Sequence, residues 1–76
     1  MTITDEALRK ISKERDRQDD KWGVQDHDDE YWLAILGEEF GEVSKAIVER
    51  KHVLKKELIH VAAVAIAWWE CINRNG

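Results

Sequence analysis

Glu38-Glu39-Phe40-Gly41-Glu42 places three carboxylates within five residues, and Glu57-Leu58-Ile59-His60 follows after an interval of fourteen residues. At about 100° per residue, Glu39 and Glu42 fall on neighbouring positions of one helical face, along a line that continues through Ile35 and Ala46. Glu57 and His60 stand three apart on another helical face, joined by Val53, Val64 and Cys71. Each pair is therefore polar and set into an apolar line. Carboxylates between apolar neighbours repel each other and resist desolvation unless a cation sits between them. A divalent metal meets that need; the alternative is a solvated acidic surface. Helices of this pattern, joined by the short basic connection Arg50-Lys51-His52, predict an antiparallel helical hairpin with both pairs at similar height.

Outward from this hairpin the chain reads as helix throughout. Thr2 or Thr4 can cap a first helix running to about Asp19, with Asp5 and Glu6 in its first turn and Ile3, Leu8 and Ile11 at helical spacing. The run Lys13 to Asp20 is almost wholly polar and reads first as a solvated extension, with a face turned toward a polar ligand as the alternative. Trp22 continues the Ile11 stripe as a core anchor, and Gly23 permits the turn that follows. Asp28 is the expected N-cap of a second helix to about Glu49, its core stripe formed by Leu33, Leu36, Phe40, Val43 and Ile47. Gly37 and Gly41 cost a helix roughly 1 kcal/mol each relative to alanine, so a close neighbour is expected against them. A third helix, from about Val53 to Ile72, is apolar on every side of its middle except at His60, which calls for burial all round. The lone Cys71 reads as a small buried hydrophobe, His27 as a loop or capping residue and His52 as solvated.

Composition bounds the function. The 76 residues allow one domain, 1–76, whose core is small enough that self-association or a bound metal would aid stability. With 37% charged residues of both signs and a formal net charge of -4, a basic nucleic-acid surface is not expected, so no DNA or RNA partner is predicted. One cysteine excludes an internal disulfide framework and fits a reducing cytoplasmic setting. No signal segment or membrane span is apparent, and no membrane association is predicted.

The arrangement Glu-Glu-x-x-Glu at Glu38, Glu39 and Glu42, followed by Glu57-x-x-His60, resembles the all-α nucleoside triphosphate pyrophosphohydrolases, in particular their MazG-like branch. The similarity extends from Arg15-Asp16-Arg17-Gln18 and Lys21-Trp22-Gly23-Val24-Gln25, through Trp32 to Val43, to Glu57 to Ala65. It implies hydrolysis of a nucleoside triphosphate to monophosphate and pyrophosphate by a helical homodimer or dimer of dimers that uses Mg2+. It also implies metal ligation by Glu39, Glu42, Glu57 and position 60. Glu38 and Glu39 are the implied catalytic carboxylates, with Glu38 orienting or deprotonating the water. Lys21 and Trp22 are implied nucleotide contacts, to phosphate and base. His60 departs from the family pattern, which has aspartate there. Imidazole suits Mn2+ better than Mg2+, so a changed metal preference, a site of three carboxylates and a catalytically degenerate domain are all open. Glu57-x-x-His60 also reads as half of a ferritin-like di-iron ligand set, and a metal-free regulatory module is a further alternative. A fourth helix, if the activity needs one, is expected from outside these residues.

Overall fold

The computed structural model describes residues 1–76 and is all-α, with α1 at Ile3–Trp22, α2 at Asp29–Val48 and α3 at Leu54–Asn75. Local chemistry explains each boundary. Thr2 is the first N-cap: its hydroxyl accepts from the Asp5 N–H at 3.0 Å while the Asp5 carboxylate accepts from the Thr2 N–H at 3.1 Å. The helix runs past Asp19 to Trp22, where Gly23 takes φ 73° and donates its N–H to the Asp19 carbonyl at 2.8 Å. Asp28 caps α2 through the Tyr31 N–H at 2.9 Å. At the other end of α2, Lys51 N–H bonds Ala46 O at 2.9 Å and Arg50 N–H bonds Ile47 O at 3.2 Å, the pairing of a Schellman motif. That motif needs a left-handed residue, and Arg50 supplies it at φ 54° without the freedom of glycine.

The third helix outlasts its expected end. Asn73 and Asn75 side chains bond the Trp69 and Cys71 carbonyls at 2.9 Å, which keeps the last turn wound. Arg74 and Asn75 also reach back to the α1–α2 connection. Arg74 donates to Gln25 O at 2.9 Å and both side chains donate to Asp26 Oδ1 at 3.0 Å. Those donors hold the Asp26 carboxyl below its ordinary range, Asn75 first and Arg74 next.

Helix α3 is the central element. It packs against both other helices, which do not pack against each other. Trp32, Val64, Ala67 and Cys71 form the core cluster, with Ile35, Leu36 and Trp68 laid against it. Only seven residues are buried, so the core is confined to the α2–α3 seam. The Trp68 indole donates to Asp29 Oδ1 at 2.9 Å and ties α3 to the start of α2. Helix α1 buries no residue. An ion pair ties it to α3 beside the half-buried Ala7 and Ile11: Arg15 donates to Glu70 Oε1 through Nε at 3.0 Å and through its terminal nitrogen at 2.7 Å. The radius of gyration of 13.1 Å exceeds the about 11.4 Å of a compact chain of this length, consistent with an open layer of helices. No helix is long and apolar enough to cross a membrane.

Four expectations about burial are corrected. The inward face of α2 is Trp32, Val43 and Ala46, whereas Leu33, Phe40 and Ile47 are 61%, 62% and 60% exposed. Val43 and Leu36 of the expected stripe do turn inward, and the α3 groove takes Trp32 and Ala46 beside them. A Cβ at Gly37 or Gly41 would meet nothing within 4 Å, because both glycines lie away from that seam. The middle of α3 is buried on one side only, leaving Leu58, Trp69 and Ile72 exposed, since a single chain offers it two neighbours. Trp22 is half exposed at the helix end, with the Lys21 ammonium 4.8 Å from its ring centre. Cys71 is buried and His52 exposed. His27 lies in the α1–α2 connection, stacked on Tyr31 with ring centres 4.3 Å apart.

Candidate metal site

Glu39 from α2 and Glu57 and His60 from α3 converge, each offering a ligand atom within 4.8 Å of the others. The i, i+3 spacing sets Glu57 and His60 on one turn of α3, and packing against α2 brings Glu39 opposite them. His60 Nδ1 lies 3.6 Å from Glu57 Oε2 and 3.9 Å from Glu39 Oε2. Ligands at about 2.1 Å from one ion stand about 3.0 Å apart when adjacent and about 4.2 Å when opposite, so small side-chain rotations bring these three onto one divalent cation. One nitrogen and two carboxylates suit Mn2+ and other transition metals more than Mg2+.

A carboxylate that the sequence reading assigned to solvent completes the surroundings. Glu14 Oε2 of α1 is 3.8 Å from His60 Nε2, on the far side of the imidazole from Glu39 and Glu57, and its side chain is only 10% exposed. Arg17 grips Glu14 through two bonds of 2.8 and 2.7 Å, and Gln18 adds a third at 3.2 Å. At 3.8 Å this contact is electrostatic and not a hydrogen bond; it sets negative charge beside Nε2, while Nδ1 faces Glu39 and Glu57. The polar run Lys13 to Asp20 is thus one-sided: Glu14, Arg15 and Gln18 turn toward the protein. Their spacing of one and three residues was a legible helical face. Its partner was not, because His60 and Glu70 lie far along the chain.

The electrostatics separate the two acids that flank His60. Burial pushes the Glu39 carboxyl above its ordinary value, against the pull of His60 and with the help of the Glu57, Glu42 and Glu14 carboxylates. Arg17 pulls Glu14 below its ordinary value, chiefly through their hydrogen bonds, with His60 contributing in the same direction. The charged form of Glu39 is thus disfavoured, first by burial and then by its acidic neighbours, and a cation beside it would offset that cost.

The remaining site residues fall elsewhere. Glu42 and Glu38 are exposed, and neither belongs to the converging triad. Trp22 lines a small cleft of about 70 Å³ with Arg15, Gln18, Glu70 and Trp32, at the end of α1 where Lys21 also lies. The Trp32 indole N–H in that cleft wall is buried without a hydrogen-bond partner. A scan against protein-family models, a search of curated proteins and a search of solved structures each found no match to this chain.

Proposed function

We propose that this chain is a metal-dependent nucleoside triphosphate pyrophosphohydrolase of MazG-like type, converting a nucleoside triphosphate and water to the monophosphate and pyrophosphate. The observation that carries this reading is the convergence of Glu39, Glu57 and His60, backed by Glu14. Two carboxylates and an imidazole fit a divalent cation, which when bound would neutralise phosphate charge and lower the barrier to attack by water. Glu39, Glu57 and His60 would hold it, with Glu42 able to join only by moving inward from its exposed position. The role assigned to Glu38 is to take the proton of the attacking water; its exposure one residue before Glu39 allows the proton to pass on to solvent. Water oxygen bonds the α-phosphorus as the α–β bridging bond breaks, and pyrophosphate leaves with the bridging oxygen. Lys21 and Trp22 are assigned to the nucleotide, the ring offering a half-exposed face for stacking.

This reading includes an antiparallel α2–α3 hairpin and a homodimer or higher assembly in the cytoplasm. The hairpin is supported by contacts that descend α2 as they climb α3 in reverse, Asp29 with Trp68 and Glu39 with His60. Self-association is supported by the exposed stripe Leu33, Phe40 and Ile47, spaced by seven, on an open layer of helices. A second reading, a nucleotide-binding regulatory domain without turnover, draws support from Glu42 being exposed and outside the converging triad. Pyrophosphate release from a panel of ribo- and deoxynucleoside triphosphates, with Mg2+ and with Mn2+, separates the two. Monophosphate and pyrophosphate in equal amounts, more with Mn2+, are expected; no release with either metal from folded protein transfers the assignment to the regulatory reading. His60→Asp should shift the preference toward Mg2+.

A further inference from the structure

Beside the triad, between the first half of α1 and the start of α3, lies a cavity of about 760 Å³ whose wall includes both Glu14 and His60. Five cations line it: Lys10, Lys13 and Arg17 from α1, and Lys55 and Lys56 from α3. Two of these have acidic partners, Lys10 with Glu6 at 3.4 Å and Arg17 with Glu14 at 2.7 Å. Lys13, Lys55 and Lys56 have none, although Glu6 and Glu14 are in the same wall. Helical spacing alone does not assemble this set, because Lys13 and Lys55 come from helices far apart in the chain. Ile3, Ala7, Leu58 and Ile59 are the apolar part of its lining. Ammonium groups gathered in a concave site with part-apolar lining and no acidic partner of their own attract an anion more strongly than scattered ones on an open surface.

We infer that this cavity binds a condensed phosphate chain, with Lys13, Lys55 and Lys56 as its contacts and His60 at the end nearest the metal site. The inference rests on the pyrophosphohydrolase reading for its orientation: the α-phosphate lies toward Glu39, Glu57 and His60, and the β- and γ-phosphates extend over the lysines. Lysine fits this task because a mobile point charge follows a chain that shortens when pyrophosphate separates. Arg17, already forked onto Glu14, is a positioning residue for that carboxylate rather than a phosphate contact.

The test is calorimetric titration of the full chain with inorganic tripolyphosphate, with and without Mn2+, against two variants that lose equal charge. Lys13→Ala/Lys55→Ala/Lys56→Ala empties the cavity of its free cations. Arg9→Ala/Lys45→Ala/Lys51→Ala removes three from outside it. All six residues are exposed, five lie in helices where alanine is favourable and Lys51 lies in the α2–α3 connection, so both variants should fold, as circular dichroism would verify. The cavity variant is expected to bind about tenfold more weakly, from three contacts each of exposed ion-pair strength, while the control stays within about twofold. Equal weakening in both variants, no weakening in the cavity variant, or no binding to the original protein overturns the inference. Selective weakening in a protein that hydrolyses no nucleotide supports the phosphate site and refutes the pyrophosphohydrolase reading. Turnover accompanied by unchanged tripolyphosphate affinity in the cavity variant does the reverse. A nucleoside triphosphate binding more tightly than tripolyphosphate identifies the ligand as a nucleotide tail; equal affinities identify free condensed phosphate.

Discussion

Replacing Glu39 with glutamine should stabilise the metal-free protein and remove its response to divalent cations. The Glu39 and Glu57 ligand oxygens lie within 4.8 Å of each other. Two like charges at that separation repel by roughly 3 kcal/mol at an effective dielectric constant of about 20. His60 at 3.9 Å offsets part of this, and the Glu39 side chain is 31% exposed, so solvent screening reduces the net gain from removing the charge to about 1 kcal/mol. For a domain of this size that is a rise of about 4–8 °C in Tm. Adding Mn2+ at about 100 times its dissociation constant should stabilise the unsubstituted protein by about 2.7 kcal/mol and the variant hardly at all, reversing their order. The pH dependence has a definite sign. Because the folded Glu39 carboxyl is raised above its ordinary 4.5, its penalty is full above the folded value and disappears as pH falls toward 4.5. The stability difference between the metal-free proteins should shrink across that window. Thermal unfolding followed by circular dichroism, at one fixed protein concentration, reads all three effects. A variant less stable than the original without metal, or an equal Mn2+-induced rise in both, refutes the argument.

Other residues offer independent checks. Glu14→Gln should weaken Mn2+ binding by about tenfold, measured by titration calorimetry, because it removes the carboxylate behind His60 Nε2; unchanged affinity would show that Glu14 only holds α1. As Arg17 lowers the folded Glu14 pKa, the stability Glu14 contributes is present above 4.5 and is lost as pH falls through the folded value, opposite in sign to Glu39. Across Arg15→Ala and Glu70→Ala, a double-mutant cycle in urea should give a coupling of about 1–2 kcal/mol, since one partner is largely buried and two bonds join them. Each single variant should also speed amide exchange in α1 more than in α3, and a coupling near zero would show that α1 is held by other means. Arg50→Gly should raise stability by up to about 1 kcal/mol by relieving the left-handed backbone that ends α2, read as a higher urea midpoint.

Much of this protein is determined by local rules that operate along a few residues. The Thr2 and Asp28 caps and the stop at Gly23 follow from which side chains can satisfy free N–H groups and which residue tolerates positive φ. The i, i+3 pairing of Glu57 with His60, and the cost of setting the Glu39 carboxylate among apolar neighbours, follow from the helical repeat and from the desolvation of charge. Tertiary structure decided matters that the repeat leaves degenerate. The repeat places Leu36 and Val43 on an inward face, and only the shape of the α3 groove adds Trp32 and Ala46 to it while leaving Leu33, Phe40 and Ile47 exposed. A polar run looks solvated when read alone; Glu14 and Arg15 became inward-facing because His60 and Glu70, distant in sequence, offer partners across the α1–α3 seam. The same seam gathers Lys13 beside Lys55 and Lys56. Helical periodicity dictates which residues share a face, whereas the partner of that face depends on how whole helices pack.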